Sequence, residues 1–283
     1  MSTEPGTLYI VATPIGNLED LSRRAERVLS TVDLILAEDT RHSRKLLSSF
    51  NIRTAVLAFH ENNEERTTPQ VISRLAAGCN VALVADAGTP LISDPGFKLV
   101  RQAHAENIPV SPIPGPTALI AALSASGIPP ARFLFEGFAP SKSEARRKRL
   151  QKLADSGHTM VFYESPHRIK AFLADARSIF GADREASVAR ELTKKFETIR
   201  HGTLGGLIEW MNHDPDQGRG EFVVIITGGE GGKTGKTELA AMLEVLLKTQ
   251  TLKQSVQIAT ELTGGSRNEI YDLAVTLQKD HQI

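Results

Sequence analysis

The chain reads as an α/β protein of two domains followed by a small helical piece, and three observations say so. Short aliphatic and β-branched runs alternate with longer segments of helical spacing over roughly the first hundred residues, the pattern of parallel βα units. The 283 residues exceed what one domain usually needs. Near the end, five glycines between Gly228 and Gly235 separate a last apolar strand from a purely helical segment.

The elements follow in order. Leu8 to Ala12 is a first strand, and Leu18 to Ser30 a helix with Leu21, Ala25, Val28 and Leu29 on one face, capped by Asp20 or Ser22. Asp33 to Ala37 is a buried strand, Arg41 to Phe50 a helix, Ala55 to Phe59 a short strand and Thr67 to Ala77 a helix. Val81 to Ala85 is continuously apolar, as the middle of a parallel sheet requires. Helix Phe97 to Glu106, strand Pro109 to Ile113, the rigid turn Pro114-Gly115-Pro116 and helix Thr117 to Ser126 follow. The second half offers strands Arg132 to Phe138, Thr159 to Glu164, Ala186 to Arg190 and Glu221 to Thr227. Between them lie helices Ser143 to Ala154, His167 to Phe180 and Thr203 to Asn212. Helices near Leu239 to Lys248, Leu252 to Thr263 and Arg267 to Gln278 close the chain. The expected domains are 1–116, 117–228 and 237–283, with 229–236 as linker.

Composition narrows the function. With 41% hydrophobic and 23% charged residues the chain is expected to be globular rather than disordered. Lys plus Arg and Asp plus Glu both count 33, so no global field attracts nucleic acid, and any such site is a local patch. The lone Cys79 excludes an intramolecular disulfide and points to a reducing compartment, the cytoplasm. Met1 to Gly6 has no leader pattern and no run reaches the ~20 apolar residues of a membrane span, so a soluble protein without membrane contact is expected.

Chemistry concentrates in loops that follow strands. Asp86-Ala87-Gly88-Thr89-Pro90-Leu91-Ile92-Ser93-Asp94-Pro95-Gly96 comes directly after the most apolar strand, where open α/β sheets bind ligands. Its glycines allow close backbone approach and its carboxylates accept hydrogen bonds, although an elaborate turn has the same residues. Thr13-Pro14-Ile15-Gly16-Asn17 and Glu38-Asp39-Thr40-Arg41 bring further polar groups to that edge, Glu38 or Asp39 being equally placed to cap the next helix. Glu164-Ser165-Pro166-His167-Arg168 and Arg190-Glu191-Leu192-Thr193-Lys194-Lys195 occupy the same positions after later strands. No second His or Cys stands at metal-ligand spacing from His167, so no metal is expected. A phosphate-binding P-loop fails on spacing, since its first glycine would fall at Thr227 or Glu230. Lys142 to Lys152 carries six cations, Arg146, Arg147, Lys148 and Arg149 among them, and is either a solvated face or a phosphate contact. The terminal helices around Thr263-Gly264-Gly265-Ser266 suit a helix-turn-helix or a packing or dimer module.

Taken together, six ordered motifs resemble the tetrapyrrole-methylase-like methyltransferases: Thr13 to Leu18, Ala37 to Arg41, Asp86 to Gly96, Pro114 to Ala118, Glu164 to Arg168 and Arg190 to Lys194. Within that family the chain is similar to the branch that methylates the 2′-hydroxyl of a cytidine ribose in bacterial 16S ribosomal RNA, and the resemblance runs from about Leu8 to the C-terminus. It implies two α/β domains of the tetrapyrrole methylase type, S-adenosylmethionine in the cleft between them, a homodimer, and the small ribosomal subunit as partner. Carried over, Pro14, Asp86, Gly88, Thr89, Ile92, Pro116, Thr117, Ala118, Phe162, Tyr163, Ala189, Glu221 and Phe222 surround the cofactor. Family members acting on tetrapyrroles typically have Gly-Asp-Pro where this chain has Gly88-Thr89-Pro90.

A ribose hydroxyl is a poor nucleophile and needs a base. Lys194, Glu191 and Glu38 or Asp39 are the candidates, Lys194 first, while Arg41, Arg168 and Arg190 join the basic run in holding RNA phosphates. The competing expectations are a methylase of the same fold acting on a small tetrapyrrole, and a non-enzymatic nucleic-acid-binding module built on the terminal helices.

Overall fold

The structure is a computed structural model that describes residues 4–229 and 236–280. It forms two compact units, one from the chain up to Ala125 together with Ala189–Ile199, the other from Ser126–Val188 together with the chain from Arg200 onward. The segment 230–235, most of the expected linker, lies outside the described residues.

The first unit holds five strands, β1 (Leu8–Val11), β2 (Leu34–Ala37), β3 (Val56–Ala58), β4 (Val81–Val84) and β5 (Val110–Ile113), in the order β3-β2-β4-β1-β5. All pairings are parallel. The strand path moves outward from β1 to β3 and then returns through β4 to β5. Right-handed crossovers therefore put α1 (Arg23–Thr31) and α2 (Thr40–Ser49) on one face, and α3 (Glu64–Ala76) and α4 (Phe97–Ala105) on the other. Alternate strand residues divide accordingly: Val11, Ile35, Ala37, Ala82 and Val84 pack with Ala25, Leu29 and Leu47. Leu8, Leu34, Leu36, Val81 and Leu83 pack with Val71, Leu75 and Leu99. Burial on both faces is why β2 and β4 read as unbroken apolar runs.

Several helix boundaries differ from expectation. Ser22 caps α1 through the Ala25 amide, so the helix starts at Arg23 after a 3-10 turn at Leu18–Asp20. Helix α3 begins at Glu64, not Thr67, which leaves Pro69 inside it without an amide to donate. Helix α5 (Ala118–Ala125), expected with the second domain, clusters with the first unit.

The second sheet has the order β6-β7-β10-β8-β9, from β6 (Phe133–Phe138), β7 (Thr159–Glu164), β8 (Glu185–Arg190), β9 (Thr198–Thr203) and β10 (Phe222–Ile226). β7 pairs parallel with β6 and antiparallel with β10. β9 was not expected from the sequence. It is an edge strand of largely polar residues whose hydrogen bonds, not burial, hold it in place. The core joins Met160, Phe162, Val188, Val224 and Ile226 to α6 (Ser143–Leu153), α7 (Ile169–Phe180) and α8 (Leu204–His213). The terminal helices α9 (Lys236–Leu247), α10 (Leu252–Thr263) and α11 (Arg267–Asp280) share their own small core of Leu239, Leu243, Val256, Ala259, Ile270 and Ala274. Thr251 and Gln254 form a capping box at α10, and Gly264 in the left-handed region ends it. No helix among the described residues is long and apolar enough to cross a membrane.

Arg146, expected with its neighbours to be either solvated or in contact with RNA phosphates, is instead buried. It is 3% exposed, and its Nη2 and Nε lie 2.7 and 2.8 Å from Asp175 Oδ2, while Nη1 donates to the carbonyls of Pro140 and Ser141. Arg146, Leu150 and Leu153 share the buried side of the helix, and Arg147 and Lys148 remain exposed. Removing one partner strands a buried charge. Arg146→Ala is therefore expected to cost about 3 kcal/mol in urea unfolding; a phosphate-contacting arginine would leave stability unchanged.

Candidate active site

In the first sheet, β1 and β4 are neighbours whose onward connections leave over opposite faces, so a crevice opens beyond their carboxyl ends. The loops there are stitched together. Thr13 and Gly88 form an antiparallel bridge, with amide-to-carbonyl distances of 2.9 and 3.0 Å, and the buried Thr13 hydroxyl donates to the Ala85 carbonyl at 3.2 Å. Gly88 has φ +84°, and a Cβ there would sit 3.4 Å from Ile15 and 3.7 Å from the Pro116 carbonyl. The Thr89 hydroxyl donates to that same carbonyl at 3.0 Å, so this residue ties the β4 loop to the turn after β5.

Carboxylates crowd the same edge. Asp39 is the cap of α2: its Oδ1 accepts from the amides of Arg41 and His42 at 2.7 and 3.4 Å. Those hydrogen bonds, the one from Arg41 foremost, hold its carboxyl below the usual range and make Asp39 the anchor of α2. Its own amide donates to Asp86 Oδ1 at 3.0 Å. Glu38 is pushed up by burial and by Asp86, against the opposing pull of His60. Asp94, at the far end of the same loop as Asp86, is pushed up to about 6 by burial and then by Glu38 and Asp86. Sequence reasoning did not single Asp94 out; the second Asp of a short loop was the available signal.

Two segments here adopt left-handed backbone without glycine: Leu91 and Ser93 at φ +71° and +70°, and Glu191 and Thr193 at +50° and +65°. For a branched residue such as Thr193 this is costly, and such conformations gather where a function over-determines them. The loop after Arg190 folds back on the first unit, where Lys194 lies along Gly16: a Cβ on Gly16 would come within 2.5 Å of Lys194 Cγ. Lys194 Nζ is 2.9 Å from Glu191 Oε1. Protonated, Lys194 donates to this carboxylate and has no lone pair with which to accept a proton.

The first unit thus brings together Pro14, Glu38, Asp39, Asp86, Gly88, Thr89, Ile92, Pro116, Thr117 and Ala118 at one sheet edge, with Ala189, Glu191 and Lys194 in its returning segment. Phe162, Tyr163, Glu221 and Phe222 belong to the second unit. Phe162 is fully buried with its ring 5.0 Å from that of Phe172, so its side chain is core and not a ligand contact. Phe222 is buried opposite Glu164, and Tyr163 is half-buried opposite Val223. Of the cations assigned to RNA, Arg190 is buried and donates to the Phe196 carbonyl at 3.1 Å. Arg168 contacts the buried Glu164 and the Ala139 carbonyl, and Arg149 pairs with Glu136 at 2.6 Å. Arg41, Arg147 and Lys148 are exposed.

The chain belongs to the tetrapyrrole (corrin/porphyrin) methylase family, whose pattern matches residues 7–208. The RsmI C-terminal HTH domain matches residues 234–278. Among curated proteins, Ribosomal RNA small subunit methyltransferase I of Pseudomonas aeruginosa is 51% identical over 276 residues, 96% of this chain and 98% of that protein. The protein of the same name from Xylella fastidiosa (strain Temecula1) is 53% identical over 272 residues, 96% and 99% of the two chains. Solved structures share the fold: diphthine synthase at TM-score 0.58 and 14% identity covers 79% of this chain and 90% of its own. Uroporphyrin-III-C-methyltransferase from Thermus thermophilus, at 0.53 and 20%, covers 78% and 94%.

The residues present fit a nucleoside-bearing ligand. Gly88 presents bare backbone beyond the carboxyl end of β4, two residues from the acceptor carboxylate of Asp86, whereas the space beside Gly16 is taken by Lys194. Asp94→Asn tests the electrostatics. Because the folded protein holds this carboxyl's pKa above its unfolded value, stability falls as pH rises from about 4 through about 6. The variant is expected to match the wild type near pH 3.5 and to be about 1 kcal/mol more stable at pH 8, the full linkage being discounted for partial exposure. Thermal unfolding at both pH values reads this; a less stable variant at pH 8 would mean that the charge has a favourable partner.

Proposed function

We propose that the protein transfers a methyl group from S-adenosylmethionine to the 2′-hydroxyl of a cytidine ribose in bacterial 16S ribosomal RNA, acting on the small ribosomal subunit. The observation that carries this reading is the 51–53% identity, over 96% of the chain, to proteins named Ribosomal RNA small subunit methyltransferase I. S-adenosylmethionine, when bound, supplies a methyl group made electrophilic by its sulfonium.

The chain's own residues divide the remaining work. Gly88, Thr89, Pro14, Ile92 and the turn Pro116-Thr117-Ala118 form the close-approach cradle, and Asp86 accepts from ligand hydroxyls with the oxygen that the Asp39 amide leaves free. The proton of the ribose hydroxyl passes to a carboxylate, either Glu191 or Glu38 beside Asp94, both half-buried at the site. Lys194, fixed by Glu191 and by its stem against Gly16, orients the attacking oxygen as a cation. Arg41, Arg147 and Lys148 take phosphates, since their guanidinium and ammonium groups are exposed. The protein works in the cytoplasm, where its single Cys79 stays reduced, and as a homodimer, for which exposed Leu18, Phe97, Ile120 and Phe196 supply apolar area.

Labelled methyl from S-adenosylmethionine, offered to small subunits that lack the modification, is expected to appear in 2′-O-methylcytidine on nucleoside analysis. Transfer to neither subunits nor extracted RNA, with cofactor binding intact, would move the acceptor to a small molecule. Lys194→Ala is expected to slow single-turnover methylation by about 10²-fold or more; a wild-type rate would remove Lys194 from the site.

A further inference from the structure

The second sheet contains a device that the steps above do not use. Between β6 and β7 the register is Phe135↔Val161, Gly137↔Phe162 and Phe138↔Tyr163, so Glu136 is an extra residue with no partner. Bulges are uncommon between parallel strands, and this one is helped by Gly137 at φ +61°. In a regular strand Phe135 and Phe138 would face opposite sides of the sheet. The extra residue turns Phe138 to the side of Val161 and Tyr163, away from the side on which Phe162 packs against Phe172.

The geometry bears this out. Tyr163 stands edge-to-face with both rings, at centroid distances of 4.9 Å to Phe135 and 5.8 Å to Phe138 and interplanar angles of 69° and 65°. The bulged Glu136 is pinned in turn by Arg149, whose Nε and Nη2 lie 2.7 and 2.6 Å from Oε2. The result is a phenylalanine at the end of its strand, braced by a tyrosine and still 56% exposed. The segment that follows presents exposed cations, Lys142, Arg147 and Lys148.

Aromatic rings beside cations form the pattern by which proteins hold unpaired nucleic acid: bases stack on the ring and phosphates meet the charges. Phenylalanine has no polar group to satisfy, so what covers it must present an apolar or π face. A 2′-hydroxyl within folded RNA is reached only when its nucleotide is unstacked, which leaves bases in need of such a surface. We propose that Phe138 is a stacking platform for an unpaired base of the RNA substrate, set in place by the Glu136 bulge. This rests on the RNA reading given above.

The test uses the full chain carrying Phe138→Ala, Phe138→Leu or Phe138→Trp, with unmodified small subunits and S-adenosylmethionine. The alanine and leucine variants are expected to bind subunits and a short unpaired oligoribonucleotide about tenfold or more weakly, with cofactor affinity unchanged by calorimetry. Phe138→Trp is expected to restore binding and to show fluorescence quenching on RNA addition beyond that of the wild type, whose one tryptophan is Trp210. Unaltered RNA affinity in the alanine and leucine variants overturns the proposal, and so does a loss confined to cofactor affinity, which would assign the ring to adenine. Thermal midpoints control for folding, and the leucine variant keeps the apolar bulk should alanine disturb the bulge. If the wild type methylates no ribosomal RNA, the functional reading fails by itself; comparing oligonucleotide binding by wild type and Phe138→Leu still decides the platform.

Discussion

Two backbone hydrogen bonds between Thr13 and Gly88 hold the first unit's chemistry together. They join the loops after β1 and β4, the neighbouring strands at which the connections diverge. Everything else at that edge is referred to this pair. Thr89 carries the tie to the turn after β5, and Asp86, held at the start of the same loop, receives the Asp39 amide and so fixes the loop after β2. A residue other than glycine at position 88 would meet both a left-handed backbone and the neighbouring Ile15 and Pro116.

A site assembled this way tolerates what an unconstrained loop would shed. Glu38, Asp86 and Asp94 repel one another, and the backbone at Leu91 and Ser93 is held on the order of 1 kcal/mol per residue above a relaxed form. The buried Glu64 offsets part of this by accepting from the amides of Gly96 and Lys98 at 3.2 and 3.0 Å, which closes the Asp86 to Gly96 loop onto the start of α4. Stability is given up locally to keep these carboxyl groups together at one sheet edge, with Asp94 pushed up to about 6.

Much of this is legible in the sequence. Strands buried on both faces announce themselves as apolar runs, and the polar loops after them stand out by contrast. What the chain hides is direction. Nothing in the composition of Lys142 to Lys152 distinguishes Arg146 from Arg147, yet the spacing of Arg146, Leu150 and Leu153 marks one helix face, and that signal was available. Adjacent Glu38 and Asp39 are equivalent as caps until the turn chooses Asp39. β9 has no apolar pattern because an edge strand needs none, and the Glu136 bulge exists only relative to its partner strand. The pairing of Lys194 with Glu191 depends on a left-handed turn that residue types do not foretell.

The first unit is discontinuous, and its returning piece, Ala189–Ile199, brings Glu191 and Lys194. During synthesis the parallel sheet is complete in sequence once Ile113 has emerged, long before the segment that finishes the site. A nascent or prematurely ended chain therefore holds the cradle without its ion pair. A fragment that stops before Ala189 keeps the five strands and lacks that pair, so the first unit is completed only after much of the second has been made.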